Sequence, residues 1–211
     1  MSRYEEKRRF FDETAPQWAH GAFDEDERPI AEWIVREAGI GAGMVVLEPG
    51  CGAGRMTRLL AEAVGPAGRV MACDISEKMV EAARRNAAAE NVRVYHGAAE
   101  DLDLPRRSVD VVLCFDVFPH FEEPADVLGV FRSILRPQGK LVIAHCPGRR
   151  EVNERHRQAG HAVGADRLPE ADAMRSLLKA RGFAVERLID EADRYYLVAG
   201  LPPGYSAPAR A

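Results

Sequence analysis

The sequence predicts an α/β fold with a doubly wound, mostly parallel β-sheet, and three observations support this fold class. The chain has 211 residues, 46% of them hydrophobic, which is enough for one domain with a large buried core. Between residues 44 and 145, short β-rich runs alternate with amphipathic helical stretches, as in parallel sheets covered by helices. The first run leads into a glycine-rich turn that opens the first helical stretch. We therefore expect a single domain over residues 1–211, with residues 44–145 as its core.

Five strands and three connecting helices are predicted in this core from the spacing of its apolar residues. The strands are expected at residues 44–48, 69–73, 92–95, 109–115 and 141–145. The helices are expected at residues 55–64, 76–90 and 124–135, and the Ser76 hydroxyl is placed to cap the second of them. Residues 136–139 are expected to form a turn before the fifth strand.

The two ends of the chain are expected to form a cap and a closing hairpin. Residues 1–37 contain two predicted helices, an N-terminal helical cap that would pack over an edge or mouth of the sheet. Residues 147–168 are polar and rich in Arg and His, and are predicted to be a second cap segment with a short helix and a loop. Residues 169–200 should form a closing helix and an antiparallel hairpin at the edge of the sheet. The tail, residues 201–211, is expected to be loose.

Composition and charge argue against several kinds of partner. The formal net charge of −4 does not supply the basic face that nucleic acid requires, so no nucleic acid is expected. The N-terminus alternates charges of both signs and does not resemble a secretory signal. No stretch approaches the roughly 20 apolar residues that span a bilayer. These features predict a cytoplasmic protein without membrane insertion.

The four cysteines, Cys51, Cys73, Cys114 and Cys146, are scattered and lack the paired spacing of a structural zinc site. Reduced thiols are therefore expected. All four fall at or near the carboxyl ends of predicted strands, which leaves two interpretations open. They are thiolates that handle a soft element such as arsenite or selenium, or they are small buried side chains of the sheet.

A glycine-rich turn and an acidic residue indicate a nucleotide-type ligand. The first strand runs into Gly50, Gly52 and Gly54, so the backbone can turn sharply, approach a ligand closely and enter a helix. Asp74 ends the second strand, where a carboxylate can accept hydrogen bonds from both ribose hydroxyls of an adenosine group. Both features lie at the carboxyl ends of neighbouring parallel strands, which is where such sheets bind ligands.

A protein that binds a nicotinamide dinucleotide is the main alternative, since its fingerprint has a comparable turn and acid. The spacing here is Gly-x-Gly-x-Gly. The dinucleotide fingerprint places its last glycine two residues further along the chain, so this alternative is disfavoured.

Six segments between about residues 10 and 145 occur in a specific order: FFDETAPQW, VVLEPGCGAG, ACDIS, GAAEDLDLP, VDVVLCFDVFPHF and FRSILRPQGKLVIAH. In this order they resemble the class I S-adenosylmethionine-dependent methyltransferases, in particular the group that includes the ubiquinone and menaquinone biosynthesis methyltransferases. The resemblance implies a Rossmann-like methyltransferase fold, with S-adenosylmethionine as the cofactor of an enzyme.

The resemblance also implies roles for individual residues. Glu48 and the backbone at Gly50 and Gly52 would hold the methionine part of the cofactor, and Asp74 would hold the ribose. The full set of predicted cofactor-binding residues is Glu48, Gly50, Gly52, Gly54, Asp74, Ile75, Ala99, Glu100 and Phe115.

The adenine contacts are predicted in the same way. Ile75 would cover one face of the adenine, and Ala99 would offer a backbone amide to its edge. The family often has Asp at the position of Ala98, so Glu100 or Asp101 would contact the adenine amino group instead. Phe115 would form part of the cavity wall on the cofactor side.

Three histidines and an asparagine are candidates for the acceptor pocket. His120 follows the fourth strand, where the methyl group should emerge, and is either a general base or a residue that positions the substrate. His145 ends the fifth strand, and Asn153 and His156 would share a helix face in the next segment.

Three interpretations of these four side chains remain open. They line a pocket for a polar or anionic acceptor, helped by Arg149, Arg150 and Arg155. The three histidines form a metal site, although their spacing matches no strong metal signature. They are solvated surface residues with no common function.

The predicted function is S-adenosylmethionine-dependent methyl transfer to a small-molecule acceptor, with the two cap segments covering the acceptor pocket. The alternatives are methylation of a protein or RNA, and a non-catalytic regulator that binds the cofactor. The acceptor atom is not predicted, because carbon, oxygen, nitrogen and sulfur methylation share this scaffold.

Overall fold

The computed structural model describes residues 4–202, apart from the His161 side chain. The helices are α1 (Glu5–Trp18), α2 (Glu27–Glu37), α3 (Arg55–Val64), α4 (Glu77–Asn86), α5 (Pro124–Ile134), α6 (Arg149–Ala159) and α7 (Ala171–Ala180). The strands are β1 (Val45–Pro49), β2 (Arg69–Asp74), β3 (Val92–His96), β4 (Val109–Phe115), β5 (Leu135–His145), β6 (Ala184–Asp190) and β7 (Tyr195–Gly200). Three short 3-10 helices lie at Ala99–Asp101, Phe118–His120 and His161–Val163. Within residues 4–202, no helix is long and apolar enough to cross a membrane.

The seven strands form one mixed sheet in the order β3-β2-β1-β4-β5-β7-β6. The first five strands of this order are parallel, and β7 is antiparallel to both β5 and β6. The chain order reverses between β1 and β4, so these two strands flank the switch point at which doubly wound sheets bind ligands. The predicted fold class, including the antiparallel hairpin at the C-terminal edge, is confirmed.

Helices cover both faces of the sheet, which explains why β1 and β4 are buried along almost their whole length. On one face, Leu47 of β1 packs in a cluster with Phe131 of α5. On the other face, Val46 of β1 packs with Ile34 of α2 and Met56 of α3. The side chains of β1 therefore alternate between the two hydrophobic clusters, one on each face of the sheet. The last residues of β1 lie at the carboxyl edge of the sheet.

Two local predictions differ from the structure. The turn expected at residues 136–139 is wrong, because these residues belong to β5. The pairing of β4 with β5 shifts register there, so an irregularity in the sheet replaces the turn. The second core helix ends at Asn86 and not at residue 90, because Ala87 leaves the helical conformation with φ of −115° and ψ of 35°. The Asn91 side chain donates hydrogen bonds to two carbonyls at the end of α3. Residues 203–211 of the expected loose tail lie outside the described residues.

Helix α1 is held against the glycine turn and the start of α4. Ala15 of α1 packs against Ala53 and Met79. Asp12 Oδ1 accepts a hydrogen bond of 2.6 Å from the Ser76 hydroxyl, whose oxygen accepts one from the Met79 amide as the cap of α4. Ser76 therefore caps its helix, as the sequence predicts, and also fixes α1 over the carboxyl edge of the sheet.

Gly54 permits α3 and α4 to approach closely. It is the residue before α3, with φ of +87°, and an added Cβ would lie 3.0 Å from the Ala83 Cα. We expect Gly54→Ala to lower the free energy of unfolding by about 1–3 kcal/mol, because it adds backbone strain and contact with a neighbouring backbone atom. Gly39→Ala is the matched control: φ is +70° there, and no atom lies within 4 Å of an added Cβ. Equal losses in urea unfolding would contradict the close-approach argument.

Candidate active site

A cavity of about 590 Å³ lies at the carboxyl edge of the sheet, in the size range of small-molecule sites. The cavity wall includes eight of the nine predicted cofactor-binding residues, Glu48, Gly50, Gly52, Asp74, Ile75, Ala99, Glu100 and Phe115. Gly54 is absent from this lining, since it faces Ala83 of α4. The structure thus brings the ends of β1, β2 and β4 around one space.

The Asp74 carboxylate connects the glycine turn to the start of α4. Its Oδ2 accepts a 2.9 Å hydrogen bond from the Gly52 amide, and its Oδ1 accepts a 2.9 Å hydrogen bond from the Ser76 amide. Burial raises the pKa of Asp74, and these two backbone hydrogen bonds oppose that shift. The carboxylate lines the cavity with both oxygens fixed, and each oxygen retains capacity for a further donor.

The first two glycines of the turn serve different purposes. At Gly50, an added Cβ would lie 2.2 Å from the Val117 Cγ2, so packing against the segment after β4 excludes a side chain. At Gly52, φ is +52° and no protein atom lies within 4 Å of an added Cβ. Because Gly52 lines the cavity, this open space is available for the close approach of a ligand.

Glu48 is a buried carboxyl group at the end of β1. It is only 1% exposed, and its Oε2 accepts a 2.6 Å hydrogen bond from the Thr57 hydroxyl of α3. Burial raises the pKa of Glu48 to about 8, the Thr57 hydrogen bond opposes this shift, and the charge of Asp74 adds to it. A cationic ligand group beside Glu48 would favour its ionised form. Thr57 was not predicted from the sequence, where it is one of several polar residues of a helix.

The predicted adenine end of the cavity is formed by the short helix Ala99–Asp101 and by Ile75. Tyr4 donates a hydrogen bond of 2.9 Å to Glu100 Oε1, which ties the start of the cap to this helix. Asp101, the alternative to Glu100, is exposed and does not line the cavity. Burial and the hydrogen bond to Glu100 raise the pKa of Tyr4.

Arg55 and Asp116 form a second group of polar contacts that was not predicted in this role. Arg55 pairs with Glu27 of α2 at 2.5 Å and with Asp116 Oδ2 at 2.7 Å. Asp116 Oδ1 accepts one hydrogen bond of 3.2 Å, from the Cys146 amide, and lies 3.3 Å from His145 Nδ1. This group connects α2, α3 and the ends of β4 and β5 beside the cavity.

The three predicted histidines all line the same cavity, beyond the glycine turn. The rings of His120 and His156 lie 4.7 Å apart, and His145 is 2% exposed. Among the described residues, the buried Nε2 of His145 has no hydrogen-bond partner. Asn153 does not join them: its side chain donates to the Leu168 carbonyl and accepts from the Leu168 amide, which fixes the segment after α6.

Two further residues, Lys7 and Asp166, contact His120. Asp166 Oδ2 lies 2.7 Å from His120 Nδ1, and Asp166 Oδ1 lies 2.9 Å from Lys7 Nζ. Burial lowers the pKa of His120, while Asp166 opposes the shift. Burial, together with repulsion from His120 when that ring is protonated, lowers the pKa of His156 to about 4. Sequence reasoning missed Lys7 and Asp166, since neither occurs in a motif.

The remaining alternatives of the sequence can be compared with these positions. Among the side chains that the structure describes, which exclude that of His161, no group of three His, Cys, Asp or Glu is arranged to hold a metal ion. Arg149 pairs with Glu170 and Asp190, and Arg155, which lines the cavity, pairs with Glu151. The four cysteines are free and buried, and burial raises the pKa of each thiol, which disfavours thiolate chemistry.

The chain matches a family model over most of its length. Residues 40–191 match the family Methyltransf_31, described as a methyltransferase domain. The class of enzyme that the sequence resembles is therefore confirmed at the level of the family.

Curated relatives match about half of the chain. This chain is 32% identical over 117 residues to a mitochondrial ubiquinone biosynthesis O-methyltransferase of Schizosaccharomyces pombe. The matched region covers 53% of this chain and 41% of that protein. It is 32% identical over 110 residues to a demethylmenaquinone methyltransferase of Staphylococcus aureus, covering 52% of this chain and 46% of that protein. The chain thus spans less than half the length of these relatives.

Solved structures share the fold. A SAM-dependent methyltransferase from Aquifex aeolicus superposes with a TM-score of 0.71 at 23% identity, covering 92% of this chain and 98% of that chain. The magnesium protoporphyrin IX methyltransferase of Synechocystis, solved with bound SAH, superposes with a TM-score of 0.67 at 22% identity, covering 93% and 98%.

The buried carboxyl of Glu48 predicts a pH-dependent stability of the cofactor-free protein. Its pKa is about 8 in the folded protein, above the ordinary value of 4.5. The neutral group therefore makes its full contribution to the free energy of unfolding below pH 4.5. This contribution is lost as the pH rises through 8. Glu48→Gln remains neutral, so its stability relative to the parent should increase across this window, by at most about 1.4 kcal/mol per pH unit.

Urea unfolding of both proteins at a series of pH values measures this difference. Glu62→Gln, at an exposed position of the following helix α3, is the control for the substitution itself. A Glu48→Gln difference that does not change with pH would contradict the assignment of a buried, neutral carboxyl group.

Proposed function

This chain belongs to the methyltransferase domain family, and on that premise we propose that it transfers the methyl group of S-adenosylmethionine to a small-molecule acceptor bound in the same cavity. The observation that carries the proposal is the placement of Asp74, whose carboxylate is fixed beside the open backbone of Gly52 at the switch point of the sheet. A fixed acceptor pair of this kind matches the two hydroxyls of a ribose.

The described residues fit the cofactor in chemistry as well as in size. Asp74 would accept hydrogen bonds from the ribose, and the space over Gly52 would admit the amino-acid part. Glu48 would lie near that cationic part and lose its proton there, since a nearby positive charge favours the carboxylate. Ile75 and Ala99 line the part of the cavity assigned to the adenine. When bound, the cofactor supplies an activated methyl group on a sulfonium.

The acceptor would occupy the part of the cavity under the two cap segments. Phe11 of α1, Phe121, and Val152 and His156 of α6 line this part. Apolar walls with a few imidazole groups suit a small molecule, which must displace water and be aligned with the methyl group. A cap built from α1 and α6 favours such an acceptor over a protein or RNA segment, which needs an open groove.

His120 is the residue that we propose as a base for acceptors that must lose a proton. Its Nε2 would take that proton while the acceptor atom forms its bond to the methyl carbon. The electron pair of the broken carbon–sulfur bond stays on sulfur, so the positive charge of the sulfonium is replaced by that of the imidazolium. His145 and His156 would position the acceptor beside it.

The ribose assignment predicts the effect of a change at Asp74. Asp74→Asn keeps the size of the side chain but removes its charge, so we expect the affinity for S-adenosylmethionine to fall roughly tenfold to a hundredfold. Isothermal titration calorimetry measures this change. Asp172→Asn, at an exposed position of α7 that does not line the cavity, is the control and should bind like the parent. Equal affinity of Asp74→Asn and the parent would remove Asp74 from the site.

The acceptor assignment predicts that the histidines affect turnover and not cofactor binding. His145→Ala and His156→Ala should lower the rate of S-adenosylhomocysteine formation with the acceptor found by screening labelled small molecules. Their affinity for S-adenosylmethionine should stay within about threefold of the parent, because the proposed cofactor contacts come from the glycine turn and Asp74. If the parent protein binds S-adenosylmethionine but methylates none of the acceptors screened, a non-catalytic regulator would be favoured.

A further inference from the structure

Three side chains from separate parts of the chain meet at the acceptor end of the cavity. Lys7 comes from α1, His120 from the turn after β4, and Asp166 from the segment between α6 and α7. Lys7 Nζ donates hydrogen bonds of 2.9 Å to Asp166 Oδ1 and to the His120 carbonyl oxygen. Lys7 is 7% exposed, and the Asp166 side chain is 11% exposed, so both charges are largely removed from water.

The contact between Asp166 and His120 defines which nitrogen of the ring carries the proton. A carboxylate only accepts hydrogen bonds, so the 2.7 Å contact requires a proton on His120 Nδ1. Asp166 is kept ionised: burial alone would raise its pKa, but the hydrogen bonds from His120 and Lys7 outweigh this and lower it. A neutral ring with its proton on Nδ1 has no proton on the other nitrogen, Nε2, and the ring lines the cavity.

The other groups around the ring disfavour a positive charge on it. Lys7 of α1, His145 of β5 and His156 of α6 all face His120, and the first two lower its pKa. Phe11 contacts the ring edge to face at 5.2 Å, which limits its rotation. Asp166 supplies the negative charge that faces the ring. The imidazole is therefore neutral before the reaction, and the Asp166 carboxylate is in place to stabilise its cationic form.

On the basis of the proposed methyl transfer, we propose that Asp166 and Lys7 are positioning residues that hold His120 with Nδ1 protonated and Nε2 directed at the acceptor. Asp166 fixes the ring and stabilises the imidazolium that forms when Nε2 takes the acceptor proton. Lys7 fixes Asp166 and the His120 backbone, so the base is held correctly only when α1 lies over the cavity. The cap thereby becomes part of the acceptor site.

Nuclear magnetic resonance of the histidine ring nitrogens tests this proposal without any acceptor. In the parent, His120 should show a protonated Nδ1 and an unprotonated Nε2 when neutral. In Asp166→Asn, the pKa of His120 should fall, because the imidazolium loses its carboxylate partner, and the Nδ1 tautomer should no longer dominate. Asp172→Asn, an exposed position at the start of α7, is the matched control and should leave both properties unchanged. An unchanged tautomer and pKa in Asp166→Asn would overturn the proposal.

Kinetics with an identified acceptor provides a second readout. Asp166→Asn should lower kcat by about tenfold or more and move the acidic limb of the kcat profile to lower pH, with the affinity for S-adenosylmethionine unchanged. Asp166→Glu should recover part of the rate, and Lys7→Met should reproduce part of the loss. A lower rate without movement of the acidic limb would show that Asp166 only supports the fold, and would overturn the positioning role.

Failure of the proposed function and failure of the positioning role give different experimental results. If the parent does not bind S-adenosylmethionine, the proposed function is wrong, while the nitrogen measurements still decide the state of His120. If the parent turns over and Asp166→Asn matches it at every pH, the positioning role is wrong and the proposed function stands.

Discussion

The Asp74 carboxylate holds together the parts of the chain on which the cavity depends. Its two oxygens bind the amides of Gly52 and Ser76, so the turn after β1 and the start of α4 keep a fixed relation to the end of β2. Ser76 then caps α4 and binds Asp12 of α1. A buried carboxylate is costly unless it is hydrogen-bonded, and here the backbone amides that bind each of its oxygens belong to the segments that line or border the cavity.

The cap is attached to the sheet at both ends of the cavity. Tyr4 binds Glu100 at the end of the cavity proposed for the adenine, and Lys7 binds Asp166 and the His120 carbonyl at the end proposed for the acceptor. Helix α1 therefore contacts both halves of the site through buried or half-buried polar groups. Such contacts are directional, so they define one position of the helix more strictly than apolar packing alone.

The sequence predicted those features that depend on local periodicity and on the ends of parallel strands. Gly50, Gly52 and Asp74 follow apolar runs, and their convergence in one cavity follows from the parallel order of β1 and β2. Residues whose position depends on long-range folding were missed or misplaced. Asp166 lies in an irregular segment with no motif, and Asn153 shares a helix with His156 but bonds to the Leu168 backbone. The segment 136–139 looked like a turn, since a shift of strand register leaves no local signal.

The proposed function requires this cavity to bind S-adenosylmethionine between the glycine turn and the histidines. A crystal structure of the chain with S-adenosylhomocysteine tests it most directly. We expect both ribose hydroxyls at about 2.7–3.0 Å from the Asp74 carboxylate, with the sulfur facing the part of the cavity that contains His120. A ligand bound elsewhere, or bound in this cavity with its ribose away from Asp74, would contradict the proposed cofactor site.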